Sequence, residues 1–173
     1  RLKAVEAWLS QEYLGVRTGR ATPALLDSVR VEIYGSKLPL QQVGSLSVED
    51  AKTLRIVPWD ASQIRAIERA ISIANLGVSV AVDDRGARVI FPDLTSERRV
   101  ALLKIAKEKL EEARVSVRKE RDEVWSDIQD QERDGKISKD EKFKEKDAMQ
   151  KLVDDTNKAL DDMALRKEKE IQE

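Results

Sequence analysis

The sequence predicts an α+β protein in which a long three-helix bundle carries a small inserted β-rich α+β domain. Three observations predict it. Apolar residues recur at helical spacing at both ends of the chain. Between those ends, short segments alternate apolar and polar residues, the period of half-buried strands. Glycine and proline punctuate the changes from one regime to the other.

The first helix is read from Leu2, Val5, Leu9 and Val16, with Trp8 and Tyr13 adjoining. Thr18-Gly19 is its expected stop, and Pro23 turns the chain because a residue before proline disfavours helical backbone. Val29, Val31 and Ile33 then alternate with polar neighbours and predict a strand, turned by Gly35-Ser36. Segments 38–43, 46–48 and 53–57 read as further strands, the last ended by Pro58. Ile64, Ile67, Ile71 and Ala74 fall on one face of a helix starting near Asp60 or Ser62 and ending at Leu76-Gly77. Val78, Val80 and Val82 alternate again. Asp83-Asp84-Arg85-Gly86 is a turn, and 87–91 a last strand stopped by Pro92.

From Leu94 onward the pattern is helical. Thr95 or Ser96 caps the start. Leu103, Ala106, Leu110, Ala113, Val117 and Val124 make one apolar seam. Gly135 breaks the helix, and Ser138 with Glu141 forms a capping box for the next, whose seam is read as Met149, Leu152, Thr156, Ala159 and Met163. Each long helix reaches roughly 50 Å at 1.5 Å per residue. A pair of such helices leaves apolar surface uncovered, and the N-terminal helix is the natural third member. The expected domains are therefore residues 1–21 with 94–173, a discontinuous bundle, and 22–93, the insertion. Arg20, Ala21, Thr22, Pro23, Leu94 and Thr95 lie on the two crossings and are the candidate hinge. The first helix is short against its partners, so its N-terminal half is expected to lie upstream of Arg1.

Composition narrows the function. With no cysteine and no histidine, there is no thiolate nucleophile, no imidazole base and no Cys/His zinc site. Neither a P-loop nor a dinucleotide fingerprint occurs. Asp161-Asp162 are helical neighbours pointing apart, and Asp83-Asp84 belongs to turn chemistry. No catalytic residue, metal site or cofactor is expected. No apolar run approaches the roughly 20 residues needed to span a bilayer, and the lack of cysteine fits a reducing compartment.

The net charge of −1 conceals an uneven distribution. Residues 98–121 hold nine Lys/Arg against four Asp/Glu, whereas 122–173 hold eleven against seventeen. Local field rather than total charge attracts phosphate. Within the basic segment Arg114, Arg118 and Arg121 share one helical stripe beside the apolar seam. Their planar forks suit phosphate and stacked bases, and Arg17 and Arg20 could extend the patch. The competing reading pairs these arginines with Glu111, Glu112 and Glu120 on a solvated face. Trp8, Trp59 and Trp125 are expected to be packing residues.

Several ordered strings resemble the ribosome recycling factor family. They are 17–23 (RTGRATP) with Leu25-Leu26-Asp27, 31–35 (VEIYG), 38–42 (LPLQQ), 93–99 (DLTSERR), 113–118 (ARVSVR) with Arg121, and 135–138 (GKIS). The resemblance implies an L-shaped, non-enzymatic factor, a helical bundle with a β-rich domain on a flexible hinge. It implies action on the post-termination ribosome with elongation factor G and GTP, splitting it into subunits and releasing mRNA and tRNA. The implied partner is large-subunit rRNA, touched by the bundle, with functional arginines at Arg17, Arg118 and Arg121. A cytoplasmic monomer follows. The chain departs from the family at Arg121-Asp122, where the family often carries two arginines. The alternative from the residues alone is a coiled-coil scaffold or adaptor with no ribosomal role, which the inserted domain argues against.

Overall fold

The computed structural model describes residues 1–173 and divides into two compact units. One comprises Arg1–Tyr13 with Leu103–Lys169; the other comprises Leu14–Leu102 with Glu170–Glu173.

The first unit is helical. It holds α1 (Leu2–Leu14) and most of α4 (Ser96–Arg133) and α5 (Lys139–Gln172). Its core is Leu9 and Tyr13 of α1, Ala106, Ala113, Val117 and Ile128 of α4, and Val153, Leu160 and Ala164 of α5. Small residues at 106, 113 and 164 let the helices approach closely, while Leu9 and Leu160, both fully buried, fill the remaining space. The Tyr13 hydroxyl donates to the Ala106 carbonyl oxygen at 2.9 Å. Burial, and secondarily Glu168, push the phenol up to about 12, with Arg114 opposing.

The seam on α4 follows the expected register. On α5 Thr156 is buried as expected, but around it the seam is displaced by one position: Val153, Leu160 and Ala164 are buried, whereas Leu152 is 60% exposed. Met149, Ala159 and Met163 are half-buried flanks. A helix that faces two partners buries a wider stripe than a two-stranded seam does, so the stripe's centre moves off the strict heptad line. The connection between α4 and α5 breaks at Gly135. The capping box forms as expected: Glu141 N–H donates to Ser138 Oγ at 3.2 Å, and Ser138 N–H to Glu141 Oε2 at 2.7 Å.

The second unit contains a hairpin of β1 (Arg30–Ile33) and β2 (Ser36–Pro39), and a four-stranded antiparallel sheet. The sheet is ordered β3 (Gly44–Asp50), β4 (Thr53–Pro58), β6 (Ala87–Ile90), β5 (Ser79–Val82). Helix α3 (Ile64–Ile73) buries Ile67 and Ile71 against a core that includes Val31, Leu54, Ile56, Val89 and Phe91. Segment 38–43, expected as one strand, instead divides. Pro39 has no N–H to continue the ladder, and residues after it form a one-turn helix, α2 (Leu40–Val43). The first hairpin turns at Tyr34-Gly35, one residue before the expected position.

The turn before β6 is built by Asp83. Its Oδ1 accepts from the N–H groups of Arg85 (2.9 Å) and Gly86 (3.0 Å), and its Oδ2 meets Arg55 Nη1 at 2.6 Å. Those contacts, the Arg55 hydrogen bond first, hold the Asp83 carboxyl below its usual range. Gly86 is obligatory here: its φ is +155°, and an added Cβ would stand 2.0 Å from the Ile56 carbonyl oxygen. Trp59, expected to pack, is 70% exposed; it follows Pro58 at the end of an edge strand's partner, where only its N–H is engaged, donating to Val43 O at 2.9 Å.

Candidate nucleic-acid interface

Helix α4 positions the arginine stripe. It is continuous for 38 residues, about 57 Å at 1.5 Å per residue, and its buried face at Ala113 and Val117 turns Arg114, Arg118 and Arg121 toward its flank. All three guanidiniums keep solvent access, with side chains 41%, 52% and 37% exposed.

Each is also paired within the molecule. Arg114 Nη2 meets Asp161 Oδ1 on α5 at 2.7 Å, and its Nη1 lies 3.8 Å from Glu111 Oε2. Arg118 Nη2 meets Glu111 Oε1 at 2.7 Å. Arg121 Nε and Nη2 both donate to Asp122 Oδ1, at 2.9 and 2.8 Å. The Glu111 carboxyl is held below its usual range, first by the hydrogen bond from Arg118 and then by the charges of Arg118 and Arg114. Of the glutamates expected to compete, Glu111 does so. Glu112 pairs instead with Lys109, and Glu120 with Arg1. Asp161 was not foreseeable as a partner, since it lies 47 residues away and only the α4–α5 register brings it across.

These pairs are exposed, and such pairs are weak because water and salt screen them. A phosphate offers the same oxygen geometry to a guanidinium, with more charge. Asp122 bears most directly on the stripe, because it occupies the Nε–Nη2 edge of Arg121, one of the two forks that could grip a phosphate.

Arg17 and Arg20 belong to the second unit. Helix α1 stops at Leu14, before Gly15, the poorest helix former next to proline, so Arg17 is not presented on a helical face. It is 8% exposed. Its Nη2 donates to the Pro92 carbonyl oxygen, and its guanidinium lies 5.8 Å from the Phe91 ring centre. Its Nε is buried without a partner, and desolvation, then Arg98, lowers its affinity for the proton. Arg20 is exposed.

The candidate hinge residues are anchored in the same unit. Ala21 N–H donates to Ala51 O at 2.8 Å, and Pro23 opens a 3-10 turn, Pro23–Leu26. Leu94 is buried, and Thr95 caps α4, its Oγ1 accepting from Arg98 N–H at 3.1 Å. No helix is long and apolar enough to cross a membrane.

Residues 9–171 match the family model described as ribosome recycling factor. The ribosome-recycling factor of Symbiobacterium thermophilum is 45% identical over 171 residues, covering 99% of this chain and 92% of that one. That of Rickettsia conorii is 44% identical over 163 residues, covering 94% and 88%. A solution structure of a ribosome recycling factor superposes with a TM-score of 0.77 at 38% identity, over 99% of this chain and 91% of that one. A second similar structure is of the T. thermophilus ribosome recycling factor, described with E. coli elongation factor G bound to the E. coli post-termination complex; it has a TM-score of 0.67 at 33% identity, over 98% and 92%.

Proposed function

The chain belongs to the ribosome recycling factor family, and on that premise we propose how its own residues serve ribosome recycling. It acts on the post-termination ribosome with elongation factor G and GTP, promoting separation of the subunits and release of mRNA and tRNA. It hydrolyses nothing itself; its work is done by binding and by displacement. It operates as a cytoplasmic monomer.

The observation that carries the reading is the stripe of Arg114, Arg118 and Arg121 on one long helix, exposed and restrained only by surface carboxylates. Large-subunit rRNA phosphates exchange for Glu111, Asp161 and Asp122. The exchange requires little energy because it trades one charge-assisted hydrogen bond for a comparable one. Arg20 adds an exposed cation, and Arg17 adds another when it lets go of Pro92. The bundle of residues 1–21 and 94–173 carries the RNA contact. The insertion of residues 22–93 moves on Arg20, Ala21, Thr22, Pro23, Leu94 and Thr95, where two short strands of chain resist wide separation but permit rotation.

The test is ribosome splitting followed by light scattering, with post-termination ribosomes, elongation factor G and GTP. A fall in scattering that needs this protein supports the reading. Binding to ribosomes without splitting would reassign the chain to another ribosomal task.

A further inference from the structure

The β1–β2 hairpin and α3 enclose an open trough of about 550 Å³ in the second unit. That volume lies within the roughly 300–1,000 Å³ typical of sites for small organic groups. Arg30, Lys37 and Arg69 line it, with Glu32 as its one carboxylate. All three cations are exposed.

None of the three has an acidic partner, whereas four other cations of the unit do. Lys52 pairs with Asp93, Arg55 with Asp83, Arg65 with Glu68 and Arg88 with Glu49. Arg30 Nη1 instead donates to the carbonyl oxygens of Asp27 (2.7 Å) and Val29 (3.2 Å), which orient the guanidinium without neutralising it. The nearby Asp27 carboxylate is engaged by Gln41 at 2.8 Å. Lys37 stands opposite Glu32 in the strand register, so the surplus positive charge resides chiefly on Arg30 and Arg69.

The rim carries two large side chains displayed to solvent: Tyr34, 92% exposed, and Ile73, 76% exposed. Tyr34 occupies the first central position of a two-residue turn with φ +50°, followed by Gly35 at φ +79°. That is a type I′ turn, where asparagine, aspartate or glycine would be easier. An aromatic ring is thus held at the tip by a backbone conformation that disfavours it, and no packing explains its presence there.

An aromatic platform flanked by unneutralised arginines fits a single-stranded nucleic acid, whose bases stack and whose phosphates bind guanidinium. A peptide anchored by apolar side chains would need a deeper apolar pocket than Ile73 and Tyr34 form. We infer that this trough is a second RNA-binding surface, stacking an unpaired base on Tyr34 and holding its flanking phosphates on Arg30 and Arg69. It is separate from the α4 stripe and does not depend on the recycling role.

The test is fluorescence anisotropy of a labelled short oligouridylate with the full chain, over a salt series. The background carries Arg114→Ala, Arg118→Ala and Arg121→Ala, so that the α4 stripe is silent. Arg30→Gln with Arg69→Gln should weaken binding about tenfold and lessen the salt slope by about 1.4, two single-strand phosphates at about 0.7 each. Tyr34→Asn suits the turn and keeps the hairpin. It should also weaken binding about tenfold, as loss of one stacked base does, with the slope unchanged; Tyr34→Phe should retain affinity. Circular dichroism verifies that each variant is folded. A background protein that binds no oligouridylate, or variants that bind as well as their parent, would overturn the inference. So would variants that keep the oligonucleotide but lose elongation factor G, which would make the trough a protein-binding surface.

Discussion

Arg121 and Asp122 are chain neighbours whose side chains close on each other, with both Nε and Nη2 of the arginine donating to a single carboxylate oxygen at 2.9 and 2.8 Å. One of the two forks that could grip a phosphate is thus occupied by the residue next to it. Asp122→Asn should therefore tighten ribosome binding, by about two- to fivefold for an exposed ion pair, and Asp122→Arg by more. Filter binding to large subunits at low salt measures it. An unchanged affinity would mean that Arg121 lies outside the RNA contact.

Arg118 is the most exposed member of the stripe. Arg118→Ala should weaken ribosome binding and reduce the slope of log affinity against log salt by about one, the signature of a lost phosphate contact. The melting temperature should not move, because the side chain contributes nothing to the core. A drop in affinity with the same slope at every salt concentration would assign Arg118 a role other than phosphate binding.

Acidity should act on the stripe only below the ordinary carboxylate range. The folded Glu111 carboxyl is depressed, chiefly by Arg118, so its ion pair is fully present above the unfolded value and is lost as pH falls through the lower folded one. There is no histidine or cysteine to titrate in between. Ribosome affinity should be flat from about pH 5.5 to 8, a window in which histidine is the usual switch. A step inside it would point to a titrating group on the ribosome.

The Tyr13 phenol behaves oppositely. Its folded value of about 12 exceeds the roughly 10 of a free tyrosine. The protonated folded state is thus favoured up to pH 10, and stability is lost as pH rises toward 12. Tyr13→Phe removes the hydrogen bond to Ala106 and should cost about 0.5–1.5 kcal/mol at neutral pH, while flattening that alkaline loss. Urea melts at neutral and alkaline pH give both numbers.

Gly86→Ala should destabilise the inserted domain by about 1–3 kcal/mol, since a Cβ must be accommodated at a positive φ and against a carbonyl oxygen. The effect should be read by hydrogen exchange at β4 and β6, where protection falls first. Uniform loss of protection across α4 and α5 would mean that the two units unfold as one.

The parts of this fold that could be read from the chain are those set by neighbours in sequence. Val29, Val31 and Ile33 alternate because the strand does, and Ser138 finds Glu141 because a helix start brings them together. What escaped depended on partners far along the chain. The extra turn expected of α1 ended instead at Leu14, and with it Arg17 passed from a surface position to a buried one against Pro92 and Phe91. The stripe on α4 was legible from spacing alone. Its restraint by Asp161 was not, because helix-to-helix register is a property of packing. Trp59 looked like core by residue type, yet a wide aromatic after a proline at a strand end has no facing layer to enter.

The compact helical unit joins residues 1–13 to residues 103–169, with the whole of the β-rich sheet encoded in between. During synthesis at roughly 5–20 residues per second, Leu9 and Tyr13 emerge and then wait roughly 5–20 s for Ala106 and its neighbours to be made. The intervening strands wait far less, since β1 pairs with β2, β3 with β4 and β5 with β6, each the next strand made. Helix α1 is thus buried late, and until then its apolar face, centred on Leu9 and Tyr13, stays open to chaperones and to aggregation.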